Sequence, residues 1–323
     1  MTEPKQLPLF EEEDGEGAPA TPAPLQPDTL LEDAIVVYLE ALRFGGSSPH
    51  TIRSFKSDLN LLSRWAGFRR TIGSFATQDL NRFLHWLLHE RGKPCSPKST
   101  ARRITTLKNF FGWLYEENAI PRDPSAALIQ KPASSPLPEI LFESEIERVL
   151  EVTQRLRQHS TRPDARPHLL VTLLLQTGIK KGECMALYPG DVDRTDPREP
   201  FLWIRYDNPR LRYKERKIPL SPEWPRVLDE YLAQRQPPAR IFNCTARNLE
   251  YVLRDVADKA GVPRSKLSFE GLRWTCAYRD YRDGMDQEEL RQKLGLSRIS
   301  WRETSKRLEK LLKEMGEQRQ SAE

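Results

Sequence analysis

Apolar residues recur along most of this chain at intervals of three and four, the spacing that gathers them on one face of an α-helix. Leu31, Ala34, Ile35, Tyr38, Leu39 and Leu42 predict a first helix, stopped by Gly45-Gly46. A second opens at Ser48-Pro49, where serine caps and proline takes the first helical position, at which a missing N–H costs nothing. Ile52, Phe55, Leu59, Leu62 and Trp65 mark its inner side. Thr77 is expected to cap a third helix, with Leu80, Phe83, Leu84 and Leu87 inside. Ser99 is expected to begin a fourth that holds Ile104, Leu107, Phe110, Phe111 and Leu114. Residues 29–122 therefore read as a helical bundle.

Pro121, Pro124, Pro132, Pro136 and Pro138 punctuate the next stretch, and residues 123–139 read as an extended, exposed linker. Beyond it a capped helix is expected near Glu143-Ser144-Glu145-Ile146, an apolar one around His168 to Thr177, and others at Pro225 to Gln234 and Ala246 to Ala260. Between them the period drops to two. Phe201, Trp203 and Arg205 alternate with Leu202, Ile204 and Tyr206, and Tyr213 to Leu220 returns through a turn near Asn208-Pro209. Three short helices close the chain: one capped by Ser268 and reaching Tyr281, one opened by the acidic turn at Asp286, and one from about Ser300 to Met315. The expected fold is mainly α, in the α+β class: a bundle, then a second domain at 140–316 bearing a small antiparallel sheet, with 317–323 disordered.

Composition adds a partner. Residues 1–28 are rich in Glu, Pro and Ala and poor in large apolar side chains, so they read as a disordered acidic tail. The 51 Lys and Arg against 46 Asp and Glu leave a formal charge of +5. Because the tail is acidic, the folded part is more basic than that sum, as suits a nucleic-acid binder. Cys95, Cys184, Cys244 and Cys276 lack CxxC spacing and a nearby His, so neither metal site nor disulfide framework is expected, and no cofactor. No apolar run approaches the roughly 20 residues of a membrane span and no secretory signal opens the chain, so the expected location is cytoplasmic, with no membrane partner.

Three motifs stand out: LLLQTGIKKGECMALYPGDVD from Leu173 to Asp193, KERKIPL from Lys214 to Leu220, and GLRWT, Gly284, KLGL and ISWRETS between Ser268 and Leu308. Together they resemble the tyrosine recombinase (phage integrase) family, and the resemblance covers Leu30 to Leu312. It implies a core-binding bundle that closes over one face of duplex DNA, followed by a catalytic domain. In that family a tyrosine attacks a DNA phosphate and forms a covalent 3′ link, two arginines hold the nonbridging oxygens, and Lys and His residues move protons. The family's first arginine falls at Lys180, its histidine at Glu270, its second arginine at Arg273, its His or Trp at Leu296 and its tyrosine at Ser305. The hairpin lysine falls at Leu211, with Arg210, Arg212 or Lys214 as substitutes.

Only Arg273 matches, and these replacements are not chemically neutral. Positioned acid–base groups contribute about 10²–10⁴-fold to such reactions. All five histidines (His50, His85, His89, His159, His168) precede the motif. Ser305 is a weak nucleophile without a base beside it. Glu270 stands three residues before Arg273, the spacing at which helical side chains meet, and is expected to pair with it. Lys180 keeps the charge but loses the bidentate fork of arginine. The expected function is duplex DNA binding with strand cleavage lost. The alternatives are an active recombinase with a remodelled site, or an adaptor pairing with an active homologue or a second copy through its C-terminal helix, which this family tends to donate to a neighbour.

Phosphate contacts are expected from Arg53, Lys56, Arg102, Arg103 and Lys108 in the bundle, and from Lys180, Arg210, Arg212, Lys214, Arg216 and Arg273 beyond it. In the tail, Gln6-Leu7-Pro8-Leu9-Phe10 is similar to the QLxLF peptides that bacterial proteins insert into the replicative sliding clamp, a second expected partner.

Overall fold

Four helices build the first unit, each burying the stripe read from its sequence. In the computed structural model, which describes residues 24–93, 95–130 and 136–320, they are α1 (Leu31–Phe44), α2 (Pro49–Ala66), α3 (Thr77–His89) and α4 (Pro97–Glu116). The chain divides into two compact units, Met1–Ser135 and Pro136–Glu323. In the first, Leu59, Leu62, Leu80, Phe83, Leu87, Phe110 and Phe111 are closed to solvent.

The caps follow local chemistry. Ser48 Oγ accepts the Thr51 N–H at 3.1 Å, as expected of a Ser-Pro start. The fourth helix uses the same device three residues earlier than expected: Ser96 accepts the Ser99 N–H and Pro97 takes the first position. Thr77 is no cap. Its hydroxyl donates to the Pro124 carbonyl at 2.8 Å, while Asp79 accepts the Ala76 N–H.

That bond corrects the linker. Asp123 holds the turn by accepting from Ser125 N and Oγ, Ser125 is buried, and Leu128 enters the bundle core. Residues 123–128 therefore belong to the bundle rather than to an exposed connector, because Leu128 supplies apolar surface worth burying. The tail boundary shifts as well, since Leu25 packs against the same core. The rest of the expected tail, with Gln6 to Phe10, lies outside the described residues.

The second unit contains α5 (Glu143–Arg157), α6 (Arg166–Thr177), α7 (Lys181–Ala186), β1 (Val192–Asp193), β2 (Phe201–Ile204), β3 (Arg216–Pro219), α8 (Trp224–Arg235), α9 (Ala246–Ala260), α10 (Phe269–Arg282), α11 (Gln287–Lys293) and α12 (Arg298–Gln320). The sheet is antiparallel in the order β1-β2-β3, with Leu202 opposite Ile218. Leu202, Ile204 and Ile218 face the core. The return strand is shorter than expected: Pro209–Lys214 winds into a 3₁₀ turn that Asn208 caps by accepting the Arg210 N–H at 3.0 Å.

Two cores meet at α10. Leu272 joins the larger one, while Trp274 and Ala277 join a smaller one with Leu290, Leu294, Leu308 and Leu311. The C-terminal helix thus buries its leucines in its own unit, and its backbone continues through residues 317–320, expected to be disordered. Among the described residues no helix is long and apolar enough to cross a membrane.

Candidate nucleic-acid interface

Cations converge on the C-terminal end of α11. The carbonyls of Lys293, Leu294, Gly295 and Leu296 accept, in turn, from Arg216 Nε (2.7 Å), Arg273 Nη2 (2.7 Å), Lys180 Nζ (2.7 Å) and Arg291 Nη1 (2.6 Å). Helix C-termini carry unsatisfied carbonyls and partial negative charge, so they collect cations. Arg273 also donates to the carbonyl of Gly178, which ends α6. Gly178 and Gly295 both adopt left-handed backbone, at φ +56° and +58°. A Cβ at Gly295 would lie 2.7 Å from the Arg216 guanidinium, so only glycine turns the chain here and leaves room for it.

Glu183 holds the arrangement from the other side. Its buried carboxylate accepts from Lys180 N (2.8 Å), both terminal nitrogens of Arg216 (3.2 and 2.9 Å) and the Tyr206 hydroxyl. Burial pushes this carboxyl up, but the Arg216 hydrogen bonds and charge, with Lys180, bring it down to about 2. Lys180 is pushed down to about 8, first by burial and then by Arg273, Arg216 and Lys214, against the pull of Glu183. Burial likewise lowers Arg273.

Beside this cluster opens a cleft of about 840 Å³, lined by the cations Lys180, Lys181, Arg254, Arg264 and Arg273 and by the apolar Leu253, Leu267, Phe269 and Leu296. Glu250 and Glu270 are its acids. Some of that charge is internally paired: Lys181 reaches Glu250 at 3.1 Å and Arg264 grips Asp258 with two bonds of 2.7 Å. Glu270 is not paired as expected. Its carboxylate accepts from Trp274 Nε1 at 2.9 Å, and Arg273 is anchored by backbone carbonyls instead, because the two helix ends offer it a fixed acceptor pair.

Residues 35–118 match the phage integrase N-terminal SAM-like domain. Over 267 residues the chain is 26% identical to tyrosine recombinase XerC of Staphylococcus saprophyticus subsp. saprophyticus, spanning 78% of this chain and 84% of that one. Its fold is similar to the Tn1549 transposon integrase in complex with a circular intermediate DNA (TM-score 0.66, 17% identity, 85% of this chain and 94% of that one). It is similar too to a lambda integrase dimer bound to a COC′ core site (TM-score 0.64, 16% identity, 85% and 77%). In sequence and in fold the chain is similar to the tyrosine recombinases.

The tyrosine recombinase positions are now locatable in space. Lys180, Glu270, Arg273 and Leu296 all line the cleft. Ser305 does not: its Oγ lies 3.4 Å from the Arg302 carbonyl of its own helix. Thr304, whose hydroxyl donates to the Ser300 carbonyl at 3.0 Å, instead lines a small cavity of about 130 Å³ with Glu270, Arg273 and Leu296. Position counting missed it, because a one-residue step on a helix turns a side chain by about 100°.

The remaining expected phosphate contacts divide. Arg210 and Arg212 are exposed on the 3₁₀ turn, and Lys214 is half-buried with its ammonium 5.2 Å from the Tyr213 ring. Arg216 is a correction: its donors are spent on Glu183, Lys214 O and Lys293 O, so it braces the fold. In the bundle, Arg53 and Lys56 are exposed and Lys108 is half-buried. Arg102 donates to buried Asp58 at 2.8 Å, and Arg103 turns inward to Asp58 and Cys95. Sequence reading also missed Lys181, Arg254 and Arg264; the Lys180-Lys181 tandem was the available signal for the first.

Proposed function

We propose that this chain is a member of the tyrosine recombinase family that binds duplex DNA through the cationic cleft of its second unit and does not cleave it. One observation carries the reading: Lys180 and Arg273 are held at the cleft by helix-terminal carbonyls, while the proton-transfer and nucleophile positions hold Glu270, Leu296 and Ser305. Charge is retained where binding needs it, whereas the histidine and tyrosine that the family motif places here are absent from those positions. The DNA-bound states of the lambda and Tn1549 integrases support the same ligand class for this chain. Exposed Arg210 and Arg212, with Arg53 and Lys56, extend the contact to the backbone.

The test combines binding with trapping. Duplex affinity should fall with salt at about −0.9 in log K per log salt for each phosphate neutralised, and Arg210→Ala with Arg212→Ala should flatten the slope by up to about 1.8. Nicked duplexes, which trap covalent intermediates, should give no protein–DNA adduct. An adduct that disappears in Thr304→Ala or Ser305→Ala would instead make this a hydroxyl-nucleophile recombinase.

The adaptor reading is less well supported, since Leu308 and Leu311 are buried in their own unit and exchange of α12 would have to expose them. For the tail we propose a sliding clamp as partner of Gln6 to Phe10. A peptide of this segment that fails to bind the cognate clamp at tens of micromolar, roughly −6 kcal/mol, removes that proposal.

A further inference from the structure

The first unit carries a groove of mixed apolar and charged lining that no described residue fills. It lies between α1 and α2, holds about 450 Å³, and has Ile35, Val36, Leu39 and Phe68 among its walls. Ile35 and Leu39 form buried ground, whereas Val36 is 57% exposed and Phe68 77% exposed. Arg43, Lys56 and Arg64 also line it. Its two acids are Glu40 and Glu32, the latter accepting the Ser63 hydroxyl at 2.8 Å, so three cations stand against two carboxylates. A complementary ligand would offer two or three large apolar side chains followed by a run of carboxylates.

A segment of that composition lies before the bundle. Leu7-Pro8-Leu9-Phe10 is followed directly by Glu11-Glu12-Glu13-Asp14. The described chain begins beside the groove's own loop: Gly73 N donates to Pro27 O at 2.8 Å, Ile72 N to Thr29 O at 3.0 Å and Leu31 N to Arg70 O at 2.9 Å. These bonds stitch residues 27–31 to the loop that follows Phe68. From Pro24 back to Phe10 the chain reaches at most about 50 Å, enough to reach a groove on its own bundle.

We infer that this groove is the docking site of the chain's own residues Leu7–Asp14, with Leu9 and Phe10 against Ile35, Val36 and Phe68 and the carboxylates against Arg43, Lys56 and Arg64. Docking in cis needs no partner concentration, because the tether supplies it. It also places the clamp-like residues and Lys56 under cover together, so that the segment is either on the groove or available to a partner. Groove and segment are complementary whether or not the chain binds DNA or a clamp.

The experiment places p-benzoylphenylalanine at position 10 of the full chain, mixes it with isotope-labelled chain, and maps photocrosslinks by mass spectrometry. Crosslinks should be intrachain and fall on residues 32–43 and 60–68. Val36→Glu, at an exposed position, should cut their yield at least fivefold with thermal unfolding unchanged, and Glu11→Lys with Glu12→Lys and Glu13→Lys should do the same. Crosslinks between labelled and unlabelled chains, crosslinks elsewhere, none at all, or a yield indifferent to Val36→Glu would each overturn the inference.

Discussion

Each unit buries a carboxylate among basic side chains, Asp58 in the first and Glu183 in the second, and these two behave oppositely. Asp58 in the bundle receives Arg102 at 2.8 Å and the Thr106 hydroxyl at 3.1 Å, with Arg103 nearby, and burial still outweighs them and raises its pKa. Glu183 receives a backbone N–H, two nitrogens of one arginine and a phenol, and stays ionised down to about 2. The number and geometry of donors, rather than the presence of arginines, decide whether a buried carboxylate keeps its charge. In the bundle the carboxylate engages side chains expected to face DNA. In the second unit Glu183 likewise takes up Arg216 and stands 3.6 Å from the Lys180 ammonium, while Arg273 is held by backbone carbonyls beside the cleft.

The most severe way to break this contrast is Glu183→Gln, which removes the charge opposite a guanidinium that is itself buried. The expected cost is about 3–5 kcal/mol of second-unit stability, measured by denaturant unfolding. A loss below about 1 kcal/mol would mean that the cluster is peripheral. Acid should act next. Glu183 has a folded pKa near 2 against an ordinary 4.5, so its contribution, about 3 kcal/mol, is complete above pH 4.5 and disappears as pH falls through 2. Asp58, raised instead, contributes more at low pH and less as pH rises. Thermal unfolding between pH 5 and 2 should therefore show the second unit failing first.

A smaller effect is expected at the cleft. Lys180 loses its proton as pH rises through about 8, well below the ordinary 10.5 for lysine, so duplex affinity should decline between pH 7 and 9 by up to about tenfold. Lys180→Arg should abolish that alkaline decline, and an unchanged profile would exclude Lys180 from the phosphate contact. Least of all should Asp58→Asn disturb stability, by about 1 kcal/mol, since burial already opposes the charge that the substitution removes. By releasing Arg102 it should steepen the salt dependence of DNA binding by up to about 0.9; a slope left unchanged would show that Arg102 does not meet phosphate.

Much of the fold was legible because its helices and strands each alternate apolar and polar positions at one clear period. The stripes of α1 to α4 and the alternation Leu202, Ile204 against Phe201, Trp203 needed only local periodicity. Thr77 and Leu128 were misread because their roles depend on a remote partner, the Pro124 carbonyl and the bundle core, whereas the expected turn at Asn208-Pro209 is capped locally and only runs longer, through Lys214. At the cleft, the motif spacing picked out Lys180, Glu270, Arg273 and Leu296, which the fold brings together. It failed for Glu270's partner and for Thr304, which turn on side-chain direction.

From the residues alone comes the inventory: which positions are apolar at helical spacing, which glycines permit a left-handed turn, and which catalytic residue types the family motif lacks. Those properties belong to single residues and their near neighbours. Which cations remain available was settled by packing. Arg216 and Arg102 look alike in a sequence, yet one spends its donors on Glu183 and two carbonyls while the other keeps a solvated face. That division depends on carbonyls exposed where a short helix ends, brought from residues 293–296 to meet side chains at 180, 216 and 273. No local pattern encodes such a meeting, because its geometry exists only after the helices have packed.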